Sequence, residues 1–169
     1  MTKNTHHKNV SNNVFATIIT LMCPLITQAL DQQPQIEQKN SISVEISYGE
    51  LIDKITILEI KAERIKNRSK LHNIQTELLI LNNIYYHDIS LTEEIKFFKK
   101  ELKKVNEELW DIEDDIRLKE QKKEFDQEFI ELARSVYITN DRRGNIKRDI
   151  NEHLGSYLME EKEYTKYEV

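Results

Sequence analysis

The chain has 169 residues, 33% charged and 38% hydrophobic, with three glycines, two prolines, one cysteine and a formal charge of −5. That composition suits one soluble, charge-rich helical domain, and the acidic balance argues against a general nucleic-acid binder, which needs a basic face to release counterions from phosphates. With Cys23 as its one cysteine, the chain has neither a disulfide framework nor a cysteine metal site, and cysteine leaves the redox compartment undetermined.

Residues 14–26, VFATIITLMCPLI, form the only long apolar run and follow a polar stretch with Lys3 and Lys8. The run falls short of the roughly 20 apolar residues that span a bilayer, so no stable membrane span is expected. It reads either as a secretory signal, with Thr27 and Ala29 as the small residues before cleavage, or as a disordered extension ahead of a cytoplasmic domain. Met22 in front of Cys23 removes a lipoprotein reading. The glutamine-rich DQQPQIEQKN is a linker on both readings, which separates residues 1–40 from a helical domain over 41–165. A cytoplasmic location is the first expectation and export the alternative.

From Ser41 onward there is no proline and just Gly49, Gly144 and Gly155, the composition of uninterrupted helices. Ile42, Val44 and Ile46 alternate with Ser43, Glu45 and Ser47, predicting a short strand or extended lead-in. Ser47-Tyr48-Gly49-Glu50 has the spacing of a capping box and starts a helix through about Asn67. Leu51, Ile52, Ile55, Leu58, Ala62 and Ile65 make its main apolar arc, with Ile57 and Ile60 on the far side, so this helix is expected to be central. Two acids fall among these apolar positions, Glu59 on the main arc and Asp53 between Ile57 and Ile60.

Leu71, Ile74, Leu78, Leu81 and Tyr85 continue at steps of three and four, giving a second helix that ends near NNIYYHD. Ser90-Leu91-Thr92-Glu93 repeats the capping-box spacing. In the third helix Leu91, Ile95, Phe98, Leu102, Val105, Leu109, Ile112 and Ile116 form a coiled-coil-like seam, and the outer face carries KKELKK and EELWDIEDD. After a charged turn near residue 123 a fourth helix resumes with Phe129, Leu132 and Val136, whose heptad continues to Thr139, Arg143, Ile146, Ile150, His153 and Tyr157. The expected fold is all-α, an antiparallel helical bundle or long helical hairpin with one short N-terminal extended segment.

The polar stretch NDRRGN interrupts that fourth stripe. Arg143 occupies a seam position and needs an anion, because an unpaired buried charge costs several kcal/mol or more. Glu59, Glu101 and Glu108 are the candidates within the chain. The structural reading is an internal ion pair, or a helix break in which Asp141 caps a new helix and Gly144 relaxes the turn. The functional reading is a site for a small anion: Arg143 offers a fork for carboxylate or phosphate, Asn140 an amide, and Lys147 a second charge one turn on, with Arg142 and Arg148 left to solvent. Asp53 and Glu59 are then weak acid–base candidates. The histidines His6, His7, His72, His87 and His153 have no metal-gathering spacing, and no phosphate loop, nucleophile elbow or zinc motif is present, so neither metal nor cofactor is expected.

Two stretches, ISYGELIDKITILEIKAERI (46–65) and LWDIEDDIRLKE with EFIELARSVYITNDRRGNIKRDIN (109–151), closed by EEKEY, resemble a family of short uncharacterised bacterial helical proteins. The likeness implies a mostly cytoplasmic all-helical domain with no established activity. It singles out Gly49, Glu50, Asp53 and Lys54, then Asn140, Asp141, Arg143, Lys147 and Asn151, while residues 14–30 lie outside the pattern. The first functional expectation is a non-catalytic module for a protein partner or self-association. The second is a small helical enzyme or binding protein for a phosphorylated or carboxylated metabolite held at Asn140, Arg143 and Lys147.

Overall fold

Among the described residues four helices follow one another through short connections: α1 (Tyr48–Arg64), α2 (Arg68–Asp88), α3 (Glu93–Lys122) and α4 (Gln127–His153). This computed structural model describes residues 41–165, and the apolar run of residues 14–26 with its linker lies outside the described residues. The chain divides between Ser43 and Val44, and the second unit carries these four helices. No strand occurs among the described residues. The alternating stretch before Ser47 has no neighbouring strand to take its N–H and C=O groups, and Ile42 and Val44 are exposed.

Ser47 caps α1 as its spacing predicts, accepting a hydrogen bond from the Glu50 amide at 3.2 Å. The helix stops at Arg64, short of Asn67, because the Asn67 side chain caps α2 instead, accepting from the Lys70 amide at 3.0 Å. Leu51, Ile52, Ile55 and Leu58 bury one face of α1 while Ile60, Asp53 and Thr56 bury the other. Among the described residues α1 alone packs against all three other helices; α2 lies on α1, and α3 and α4 pair as a long hairpin. The central helix of the sequence reading is therefore central in space.

α3 begins later than its first cap signal. Thr92, not Ser90, accepts from a first-turn amide, that of Ile95 at 3.3 Å, while the Ser90 carbonyl takes the Thr92 amide in a turn. Of the α3 seam, Ile95, Leu102 and Val105 are fully buried, whereas Leu109, Ile112 and Ile116 are half-buried. The difference follows from length. α1 has 17 residues, about 25 Å, against 30 in α3, about 45 Å. Its end, Arg64, pairs with Asp111, so the hairpin runs on beyond that point without a third helix. Lys123, in the left-handed region at φ 59°, closes α3, and Asp126 opens α4 by accepting from the Phe129 amide at 3.0 Å.

α4 runs without interruption through NDRRGN, so no new helix begins at Asp141 and Gly144 makes no turn. Gly144 instead leaves room for the C-terminal segment: a Cβ there would stand 3.0 Å from the Lys162 ammonium. The buried heptad ends at Ile150: His153, the last residue of α4, is exposed, and so is Tyr157, because the chain leaves the helix at Leu154 and turns at Gly155 with φ +63°. Replacing Thr92 with alanine is expected to lower stability by about 1 kcal/mol and Ser90→Ala to change it little; urea denaturation of the two variants separates the caps.

Candidate ligand cleft and its buried ion pair

Thr139, Arg143, Lys147 and Asn151 recur every four residues and form one stripe on α4. Three of them meet α1 running the opposite way. Asn151 accepts the Gly49 amide at 2.7 Å, Lys147 donates to Glu50 at 2.7 Å, and Arg143 meets Asp53. The backbones come so close at the first rung that a Cβ on Gly49 would lie 2.5 Å from the Lys147 carbonyl oxygen. Only glycine fits there.

The Asp53–Arg143 pair is bidentate, with Nε donating to Oδ1 at 2.9 Å and Nη2 donating to Oδ2. Asp53 is 1% exposed and the Arg143 side chain 26%. α3 supplies the third member: the Asn106 amide donates to Asp53 Oδ1 at 2.8 Å and to the Thr56 hydroxyl at 2.9 Å, and that hydroxyl donates to the Asp53 carbonyl at 2.8 Å. The cluster thus ties α1, α3 and α4 together with its buried groups satisfied. Hydrogen bonding to Asp53 pushes the Arg143 guanidinium further up from its already high pKa. Of the carboxylates expected to meet Arg143, Glu59 bonds Lys99 at 2.7 Å and Glu108 bonds Arg142 at 2.7 Å. The partner is Asp53, and Arg143 makes no ion pair with Glu101.

Lys147 is buried between two carboxylates, Glu50 of α1 and Glu160 of the C-terminal segment. Burial works to lower its pKa, but the hydrogen bonds to Glu160 and Glu50 outweigh that and the net shift is upward. Arg148, expected to face solvent, joins the same segment by bonding Glu161 at 2.6 Å. Glu160 is held below the usual carboxylate range, first by its hydrogen bond from Lys147.

Beside this cluster opens a cleft of about 980 Å³ between α1, α3 and α4. Leu109, Trp110, Val136 and Tyr137 are among its walls, Asn106, Asn140 and Arg143 give it polar groups, and Tyr164 and Thr165 of the C-terminal segment border it. Asn140 Oδ1 accepts from Arg143 Nη1 at 3.4 Å, which aligns the amide with the guanidinium. Asp141 also lines the cleft, whereas Lys147, Asn151, Asp53 and Glu59 do not. The sequence-predicted ligand cluster is therefore split: Asn140, Asp141 and Arg143 face the cleft, and Lys147 and Asn151 face α1. Asp53 is a structural counter-ion with both oxygens occupied, and Glu59 belongs to another corner of the molecule.

Asn106 was not singled out in the sequence, and Tyr137 and Glu160 fall within the stretches that carry the resemblance without a role of their own there. Asn106 had a signal, a short amide directly after the seam residue Val105; Glu160 had its place in EEKEY, but no helical pattern to say what it faces. No group of three or more His, Cys, Asp or Glu able to hold a metal exists among the described residues, and no described helix is long and apolar enough to cross a membrane.

Fold and site together define an all-helical domain whose central helix is locked to a hairpin by a buried ion pair beside an open cleft. Residues 42–167 match the model of a family of unknown function, DUF6165, and the chain belongs to that family. No curated protein and no solved structure matches it.

Removing one partner of the buried pair, by Asp53→Leu or Arg143→Met, strands a charge and is expected to cost about 3–5 kcal/mol, while the double replacement recovers part of the loss; a double-mutant cycle in chemical denaturation checks this. A second expectation concerns pH. A carboxylate whose folded pKa lies below its unfolded value contributes fully above the unfolded pKa and loses that contribution as pH falls through the folded one. Amide protection along residues 156–165, measured relative to the intrinsic exchange rate at each pH, should therefore fall as pH drops below the normal glutamate range, and Glu160→Gln should remove this pH dependence.

Proposed function

We propose that this domain is a non-catalytic interaction module that receives a segment of a partner protein in the α1/α3/α4 cleft. An aliphatic or aromatic side chain packs against Trp110 and Val136, and a backbone carbonyl accepts from the free edge of Arg143. The observation that carries this reading is the state of Arg143: it reaches the cleft with its charge already met by Asp53. A neutral acceptor suits such a guanidinium better than a full anion, which has to compete with a bidentate internal carboxylate. The borders agree, since Glu113, Asp114 and Asp141 outnumber Arg117 and Arg143 among the lining residues and disfavour added negative charge. The chain's own Tyr164 and Thr165 already lie along the cleft outside any helix, so non-helical backbone fits beside it.

The alternative is a carboxylated metabolite seated on Arg143 and Asn140. The exposed edge of Arg143 supports it. Lys147, engaged by Glu50 and Glu160, adds nothing there, and neither Asp53 nor Glu59 lines the cleft as an acid or base.

Trp110 is the chain's one tryptophan and lines the cleft, so its fluorescence reports occupancy. A photo-crosslinker at Tyr137 in the full chain is expected to capture a defined partner peptide. That synthetic peptide should shift Trp110 emission and bind at least tenfold more weakly to Val136→Asp. Emission that responds to small dicarboxylates, with no peptide captured, would transfer the cleft to the metabolite reading.

A further inference from the structure

A second recess, independent of the cleft, lies where the last turns of α2 face the first half of α3. It holds about 350 Å³, and its lining includes Lys96, Lys99, Lys100 and Lys103 together with Tyr86 and Leu91. The lysine spacing of three, one and three residues puts all four on one side of α3. Glu59 is the one carboxylate in the lining. Lys99 bonds it at 2.7 Å and rests 5.0 Å from the Tyr85 ring centre, so this lysine has a structural role. Lys103 bonds Glu63 at 2.6 Å and lies 3.7 Å from Glu107, so its charge too is met within the fold. Lys96 reaches only Glu93, which is 87% exposed and therefore strongly screened, and Lys100 enters no ion pair among the described residues. Like charges one turn apart repel, so the stripe opposes the helix that carries it and no internal partner at Lys100 offsets this.

Tyr86 is 64% exposed beside these lysines, and Leu91 adds an aliphatic surface. A ring with one open face next to a group of cations matches a ligand that is apolar at one end and multiply charged at the other. We propose that this recess binds a phosphoryl group carried on a small apolar or aromatic body. The phosphoryl oxygens sit between Lys96 and Lys100, and the body lies on Tyr86 and Leu91. The chain's overall charge of −5 opposes a long polyanion and leaves a compact one as the fitting ligand. The anion site thus lies on α3, away from Arg143 and Lys147, whose charges are met within the fold.

Phosphoryl groups reach a protein from a soluble metabolite or from a lipid headgroup, and two arms separate these sources. In the first, the full chain is titrated against phenyl phosphate and inorganic phosphate by phosphorus NMR. In the second, it is sedimented with phosphatidylcholine vesicles doped with phosphatidic acid. Phenyl phosphate is expected to bind more tightly than inorganic phosphate. The Lys96→Glu/Lys100→Glu variant, whose changes lie on exposed positions, should weaken binding at least tenfold with an unchanged circular dichroism spectrum. Lys70→Glu/Lys122→Glu makes the same charge change elsewhere and should alter binding less than twofold. Binding confined to the first arm assigns a metabolite; vesicle binding lost in the recess variant assigns a headgroup. No binding in either arm, or equal losses in the two variants, overturns the proposal.

Discussion

Burying Asp53 in the middle of α1 imposes the constraint on which the rest of the fold depends. A carboxylate 1% exposed must be met by a cation in good geometry, and α4 supplies one in Arg143. Meeting that need sets α1 antiparallel to α4 in a single register, because sliding by one turn would place Asp53 opposite Thr139 or Lys147. Asn106 then fixes α3 to the same point. Apolar packing around Ile52, Ile55 and Leu102 supplies bulk stabilisation, but a surface of isoleucine and leucine tolerates several registers. The ion pair and its amide select one of them.

Much of this was legible in the sequence, though in halves. Helical periodicity located α1 through α4 and the turn near residue 123, and the lack of glycine and proline after Ser41 kept the helices long. The same periodicity placed Asp53 among apolar residues and Arg143 in a seam, each requiring a partner. It did not join them, because pairing is a property of inter-helix register, and Glu59, Glu101 and Glu108 were equally acceptable on a wheel. The heptad also drifted. An unsupercoiled helix repeats at 3.6 residues, so the buried polar stripe steps by four from Thr139 to Asn151 and takes in Lys147, which a strict heptad passes over. The cap expected at Ser90 gives way to Thr92, which offers a hydroxyl two residues later. Of the two readings of the alternating stretch before Ser47 the lead-in holds, because a lone strand has nothing to pair with.

Two kinds of cation emerge from the structure. Arg143 and Lys147 have little exposed surface and answer carboxylates of their own chain, which makes them part of the framework. Lys96 and Lys100 stand in solvent on a helix that gains nothing from their proximity. Sequence gives no means of telling these classes apart, since both appear as basic residues at helical spacing. What distinguishes them is the acid content of the facing helix, and that is known only after the helices have been placed.

Lys147 has one further consequence. Its ammonium group touches α4's own neighbour α1 through Glu50 and the C-terminal segment through Glu160, so three remote stretches of chain converge on one atom. The segment after Gly155 is therefore a clasp rather than a trailing end. A cut ahead of Glu160 takes away one of the two carboxylates that meet Lys147 and, with it, the residues that border the cleft at Tyr164. Where the chain is trimmed is a choice about its interior as much as its surface.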